Sequence, residues 1–152
     1  MSKLYLLTLF ALVAVVCAET DFTGRYKLTT SENYNEFLKE LGLGYFKRLA
    51  ATAASSEYVI TYDKENKTYT MKTIATFGDS NITFKDGETF TENRSDGETV
   101  QTTINIVGNK WDQLQKGTKD VRIVREFMDD GKIIVTTTVN GVTAVRTYEK
   151  QK

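Results

Sequence analysis

From Glu57 to the C-terminus, apolar and polar residues alternate in short runs that turn-forming residues interrupt at close, regular intervals, a pattern that restricts the chain to a meander of antiparallel strands. The alternating runs fall near 57–63, 68–75, 81–84, 89–93, 99–106, 110–116, 120–127, 132–139 and 142–149. Between them stand Asp63-Lys64-Glu65-Asn66, Gly78-Asp79-Ser80, Asp86-Gly87, Asp96-Gly97, Gly108-Asn109, Lys116-Gly117, Asp129-Asp130-Gly131 and Asn140-Gly141. Several of these favour tight hairpins because Gly and Asn tolerate positive φ. Phe22-Thr23-Gly24-Arg25-Tyr26-Lys27-Leu28 alternates in the same way and predicts a first strand, which brings the count to ten. Ten short strands with no proline and no linker-like stretch predict an all-β, up-and-down antiparallel barrel in one domain, wide enough to enclose a small ligand.

The alternation is broken once, after the first strand. Tyr34, Phe37, Leu38 and Leu41 recur at helical spacing, Asn33 with Glu36 resembles a capping pair, and Gly42 stops the segment. Tyr45 to Ala54 is rich in Ala and predicts a second short helix. A helix-turn-helix hairpin inserted between the first two strands of a barrel most economically caps an open end, as a lid.

At the N-terminus, Lys3 precedes an apolar run from Leu4 to Val16 and then Val16-Cys17-Ala18, the tripartite form of a secretory signal cleaved after Ala18. The run is shorter than the roughly 20 apolar residues that a hydrocarbon crossing needs. The expected division is therefore a signal peptide at 1–18 and a secreted barrel domain at 19–152. Cys17 is the chain's one cysteine and leaves with the signal, so the domain must hold together by burial rather than by disulfides. Loss of Lys3 leaves 19 basic against 20 acidic residues, a balance that argues against a nucleic-acid partner. With no His in the chain and no Cys after the cut, the usual general base, the usual nucleophile-base pairs and most transition-metal sites are missing. The expectation is a non-enzymatic protein with no cofactor and no metal. In an exported protein, Asn66-Lys67-Thr68, Asn81-Ile82-Thr83 and Asn93-Arg94-Ser95 mark candidate glycosylation sites on exposed turns.

Two arginines fall on faces that otherwise read as inward. In the strand at 120–127, Val121, Ile123, Arg125 and Phe127 share one face; in the strand at 142–149, Val142, Ala144, Arg146 and Tyr148 do. A guanidinium inside an apolar barrel costs several kcal/mol unless it is paired, and no inward acidic residue is evident on neighbouring strands. A ligand carboxylate, held bidentately and by a tyrosine hydroxyl, is an economical partner. On spacing alone the alternative stays open, that both arginines point outward on strands of shifted register.

Longer matches then accumulate. Phe22 to Leu28, Ser31-Glu32-Asn33-Tyr34-Asn35-Glu36-Phe37-Leu38-Lys39 and Leu41-Gly42-Leu43-Gly44 resemble the N-terminal signature of the intracellular lipid-binding proteins of the calycin superfamily, whose best-known branch is the fatty-acid-binding proteins. The resemblance continues in order through Thr76-Phe77, Phe84-Lys85-Asp86-Gly87-Glu88-Thr89-Phe90, Ile123-Val124-Arg125-Glu126 and Thr143-Ala144-Val145-Arg146-Thr147-Tyr148-Glu149-Lys150. It implies a ten-stranded β-clam with a helix-turn-helix lid and a long-chain fatty acid inside. By motif, Arg125, Arg146 and Tyr148 would hold its carboxylate, the same residues that the strand faces select. Phe77 matches the family residue at the portal, Leu43, Phe46 and Leu49 are candidates for the facing edge, and Phe37 is a further portal or cavity candidate. Lys39, Lys47 and Arg48 would favour transient contact with anionic membranes, and the expected state is a monomer.

The chain departs from the family at Phe37, where a carboxylate-binding tyrosine is common and no hydroxyl is available here. Tyr26 replaces a common tryptophan, Trp111 stands at a different strand position from the second, and Asp129-Asp130-Gly131 lengthens a hairpin by one residue. The nearest rival is a retinoic acid carrier of the same fold; retinol is disfavoured, since retinol-binding members usually have glutamine at the two arginine positions. A lipocalin shares signal, barrel and Gly24-Arg25-Tyr26, but lipocalins usually carry disulfides and lack the early helical pair. A secreted barrel acting as allergen, nutrient store or protein-binding module is the remaining reading.

Overall fold

A computed structural model of the chain describes residues 18–76 and 78–152; the expected signal up to Cys17, and Phe77, lie outside the described residues. The elements run β1 (Gly24–Glu32), α1 (Tyr34–Leu41), α2 (Tyr45–Ala53), β2 (Ser56–Asp63), β3 (Thr68–Ala75), β4 (Ser80–Phe84), β5 (Thr89–Asn93), β6 (Thr99–Val107), β7 (Lys110–Lys116), β8 (Val121–Phe127), β9 (Lys132–Val139) and β10 (Val142–Lys150). All ten strands form one antiparallel sheet in the order β4-β3-β2-β1-β10-β9-β8-β7-β6-β5. Pairing of β1 with β10 joins the two halves of the chain and curls the sheet into a nearly closed barrel. Its seam lies between β4 and β5, which end the order without a ladder between them among the described residues.

The expected barrel and lid are present, and most boundaries fall within one residue of those read from the alternation. The first strand is the exception: it starts at Gly24 rather than Phe22 and runs on to Glu32. A register shift between Leu28 and Thr30 inserts Thr29 as a bulge, resetting the alternation midway along the strand. Phe22, just before β1, is buried against Trp111 and Phe127, and Tyr26 donates its hydroxyl to the Phe22 carbonyl at 3.1 Å.

The cap geometry of α1 also differs from the expected Asn33–Glu36 pair. Asn33 takes a left-handed conformation (φ 58°) to turn the chain out of β1, and its side-chain amide donates to the Thr143 carbonyl of β10 at 2.8 Å. Spent on the barrel, that side chain caps nothing, and the contact ties the lid's first turn to the sheet. At the other end Gly42 adopts φ 102°, which folds Leu43 back so that its N–H donates to Leu38 at 3.0 Å. Asn140-Gly141, both at positive φ, make the β9–β10 hairpin turn, from which Asn140 donates to Glu40 of α1 at 2.8 Å.

Two apolar clusters fill the molecule. An aromatic group at one end of the barrel joins Phe22, Tyr69, Phe84, Trp111 and Phe127, with Trp111 within 5.0–5.4 Å of the other four ring centroids. The second packs Phe37, Leu38, Leu41 and Leu43 of the lid onto Val121, Val139 and Ala144. Helix α2 contributes no buried residue, and Tyr45, Phe46 and Leu49 stand exposed on it.

Burial pushes the Tyr26 phenol up to about 12, with Asp21 adding to the shift, and burial raises Tyr34, Tyr69 and Tyr148 as well. The folded chain therefore keeps phenolic protons that an unfolded chain surrenders above about pH 10. Raised folded values mean that this stabilisation is complete below about pH 10 and is lost as pH climbs toward about 12. The urea midpoint should accordingly hold steady below about pH 9 and fall between about pH 10 and 12, in step with tyrosinate absorbance. A midpoint that stays constant while the phenols ionise would contradict their burial.

Candidate functional site

Strands β8, β9 and β10 present one inward row. Arg125 is the ladder partner of Val135, and Val135 is the partner of Arg146. Two guanidinium side chains thus flank one isopropyl group, with their Cα atoms roughly 10 Å apart at the usual strand spacing. Both arginines line a cavity of about 460 Å³, together with Thr137, Tyr58, Phe37 and Tyr34. This bears out the inward assignment made from the strand faces and excludes the outward alternative.

The two arginines are held differently. Arg125 is 4% exposed, donates from Nη1 to Gln113 Oε1 at 2.6 Å, and lies 5.6 Å from the Tyr58 ring centroid. Arg146 makes no ion pair or side-chain hydrogen bond among the described residues; its guanidinium rests 4.2 Å over the Tyr34 ring and 5.6 Å from that of Tyr148. Four side-chain polar atoms are buried without a partner among the described residues, and three belong to this patch: Arg125 Nε, Arg146 Nε and Thr137 Oγ1. Buried donors are ordinarily satisfied, so the patch carries positive charge and unused hydrogen-bonding capacity into the cavity.

Tyr148 lies one layer behind the cavity lining. It is fully buried, stacks on Tyr58 at 4.2 Å, and its hydroxyl is 3.1 Å from Ser56 Oγ, which does line the cavity. Burial next to Tyr58 pushes its phenol well above the usual range, so it stays neutral and able to donate.

On the lid, Phe37 lines the cavity and stacks on Tyr34 at 5.9 Å. The hydroxyl missing at Phe37 has a counterpart one turn earlier, because Tyr34 covers Arg146; burial raises its phenol, and the Arg146 charge opposes that shift. Leu43 and Phe46 do not line the cavity. The reversal at Gly42 turns Leu43 into the core under α1, and Phe46 is 82% exposed beside the α1–α2 turn.

An inward acid, Glu92, does reach the cavity, from β5 and not from a strand next to β8 or β10. It lines the cavity from β5, and its Oε2 accepts from Thr102 Oγ1 at 2.8 Å, Gln115 Nε2 at 3.0 Å and Gln113 Nε2 at 3.1 Å. Gln113 therefore links Arg125 to Glu92 through one amide, and Arg125 has an indirect counter-ion. The sequence carried the signal: Glu92 shares a face with Phe90, and Gln113 and Gln115 share one with Trp111.

Of the candidate glycosylation sites, Asn66 lies in the β2–β3 turn, as expected, whereas Asn81 and Asn93 lie on strands β4 and β5; all three are exposed.

Comparison with known proteins agrees with this architecture. A fatty acid-binding protein of Tyrophagus putrescentiae is 49% identical over 132 residues, covering 86% of this chain and 98% of that one. The fatty acid-binding protein from brain tissue of Drosophila melanogaster superposes with a TM-score of 0.80 at 42% identity, over 85% of this chain and 99% of that one. The Schistosoma mansoni fatty acid binding protein in complex with arachidonic acid gives 0.81 at 32% identity, over 86% and 96%. Residues 23–151 match the lipocalin / cytosolic fatty-acid binding protein family, and with the ten-stranded barrel, the lid and these relatives, the chain belongs to that family.

Proposed function

We infer that the protein is a carrier or buffer of long-chain fatty acids, with the ligand carboxylate held between Arg125 and Arg146 and the acyl chain in the cavity. The observation that carries this reading is the inward row Arg125–Val135–Arg146, where two cations face the cavity with Arg125 Nε, Arg146 Nε and Thr137 Oγ1 unpartnered among the described residues. One carboxylate supplies the acceptors this patch lacks, and charge-assisted bonds of this kind are about twice as strong as neutral ones. Tyr148, with Ser56 in front of it, and Tyr34 above Arg146 add hydroxyls to the same region. Burial of the chain supplies most of the affinity, at about 0.8 kcal/mol per methylene. The Schistosoma mansoni relative, solved with arachidonic acid, supports a fatty acid as the ligand class.

The leader at 1–18 supports release outside the cell after cleavage at Ala18, as a monomer whose sequons become available for glycans. The exposed Tyr45, Phe46 and Leu49 of α2, beside Lys47 and Arg48, suit transient contact with an anionic membrane during ligand exchange. Delipidated protein titrated with a fluorescent fatty acid, then challenged with oleate and with oleyl alcohol, tests the carrier role. One-to-one binding displaced far better by oleate is the expected result; absence of saturable binding, or equal displacement by the alcohol, would overturn it.

A further inference from the structure

The cavity holds a second polar feature that a plain alkyl chain leaves unused. Glu92 enters from β5, on the face it shares with Phe90, and all of its hydrogen bonds converge on one oxygen. Oε2 accepts three, from Thr102, Gln113 and Gln115, while Oε1 has no partner among the described residues. The three donors are 0%, 1% and 3% exposed, packed on β6 and β7, and so are fixed on Oε2. No ion pair among the described residues includes Glu92; its one link to a cation runs through Gln113 to Arg125. A methylene laid against Oε1 would strip it of hydration and return nothing, whereas an O–H would complete it.

Resting on the carrier reading above, we propose that Oε1 of Glu92 is a second ligand subsite, which takes a hydroxyl carried on the acyl chain, and that the preferred ligands are hydroxylated fatty acids. The subsite lies close to the head-group end, because a single side chain, Gln113, spans from Arg125 to Glu92. The hydroxyl it accepts therefore belongs on the carboxyl-proximal half of the chain. An ω-hydroxyl, at the far end, is out of its reach when the carboxylate sits between the arginines. The same feature orders the polar wall: Glu92 fixes the Gln113 amide with its N–H toward β5 and its carbonyl toward Arg125.

The test compares stearate, monohydroxystearates substituted in the carboxyl-proximal half, and ω-hydroxystearate on delipidated full-length protein, with Glu92→Leu and Glu92→Gln beside it. The expected result is about tenfold tighter binding of at least one proximal isomer than of stearate, the size of one charge-assisted hydrogen bond. That preference, read within each protein as the ratio of hydroxystearate to stearate affinity, disappears in Glu92→Leu and shrinks in Glu92→Gln, which retains the shape and a carbonyl acceptor. Equal affinity for stearate and every isomer in the unmodified protein, or a preference that survives both substitutions, overturns the subsite alone. Failure of stearate itself to bind overturns the carrier reading and the subsite with it.

Discussion

Replacing Arg146 with Gln should weaken oleate binding by roughly 10- to 100-fold and leave oleyl alcohol nearly unaffected, since hydrogen bonds to charged groups contribute about 1.5–3 kcal/mol. Arg146 is the more sensitive position because, among the described residues, it has no acceptor and rests on the faces of Tyr34 and Tyr148. Arg125 is already bonded to Gln113, and through it to Glu92, so Arg125→Gln should cost less affinity. The same substitution should not destabilise the empty protein. Arg146 is partly buried and makes no ion pair among the described residues, so its removal relieves part of a desolvation cost while losing the contact with the Tyr34 ring, and the ligand-free Arg146→Gln variant is expected to melt close to the temperature of the parent. Displacement titrations with the two ligands, beside thermal melts of both proteins, check the pair of effects. Equal loss for acid and alcohol would mean that Arg146 shapes the cavity without reading the head group.

Trp111→Ala should be the most damaging single change to the fold, at about 3–5 kcal/mol. Trp111 is completely buried and touches Phe22, Tyr69, Phe84 and Phe127, which come from the segment before β1 and from β3, β4 and β8. Its removal leaves a void at the centre of the aromatic end that rings anchored on four separate segments cannot close. Trp111 Nε1 has no partner among the described residues, so Trp111→Phe loses volume but no hydrogen bond and should cost markedly less. For a chain of this size the Ala variant should melt roughly 10–20 °C lower. Urea unfolding should show a lower midpoint with an unchanged slope; a cost below about 1 kcal/mol would show that this end of the barrel repacks freely.

How far the sequence could be read depended on whether alternation ran unbroken. In β8 and β10 it does, and the inward placement of Arg125 and Arg146 follows directly from counting residues. In β1 the bulge at Thr29 breaks the count, which displaced that strand's expected limits. β5 is short and almost wholly polar, so its period is carried by Phe90 alone, too weak a signal to mark Glu92 as inward although it shares that residue's face. Other relations are tertiary and leave no periodic trace. Tyr34 reaches Arg146 because Asn33 turns the lid back over β10, and Tyr148 meets Ser56 across the intervening β1. Leu43 illustrates the converse: its helix-adjacent position suggested a portal, but the left-handed turn at Gly42 sends it into the core.

The head-group assignment is tested most directly by a crystal structure of the delipidated protein reloaded with oleate. The carboxylate should lie between Arg125 and Arg146, within hydrogen-bond distance of at least one guanidinium, with the acyl chain running through the cavity beneath Phe37. A carboxylate found instead among Lys47 and Arg48 at the lid surface, with the hydrocarbon inserted tail-first toward Arg146, would contradict the account.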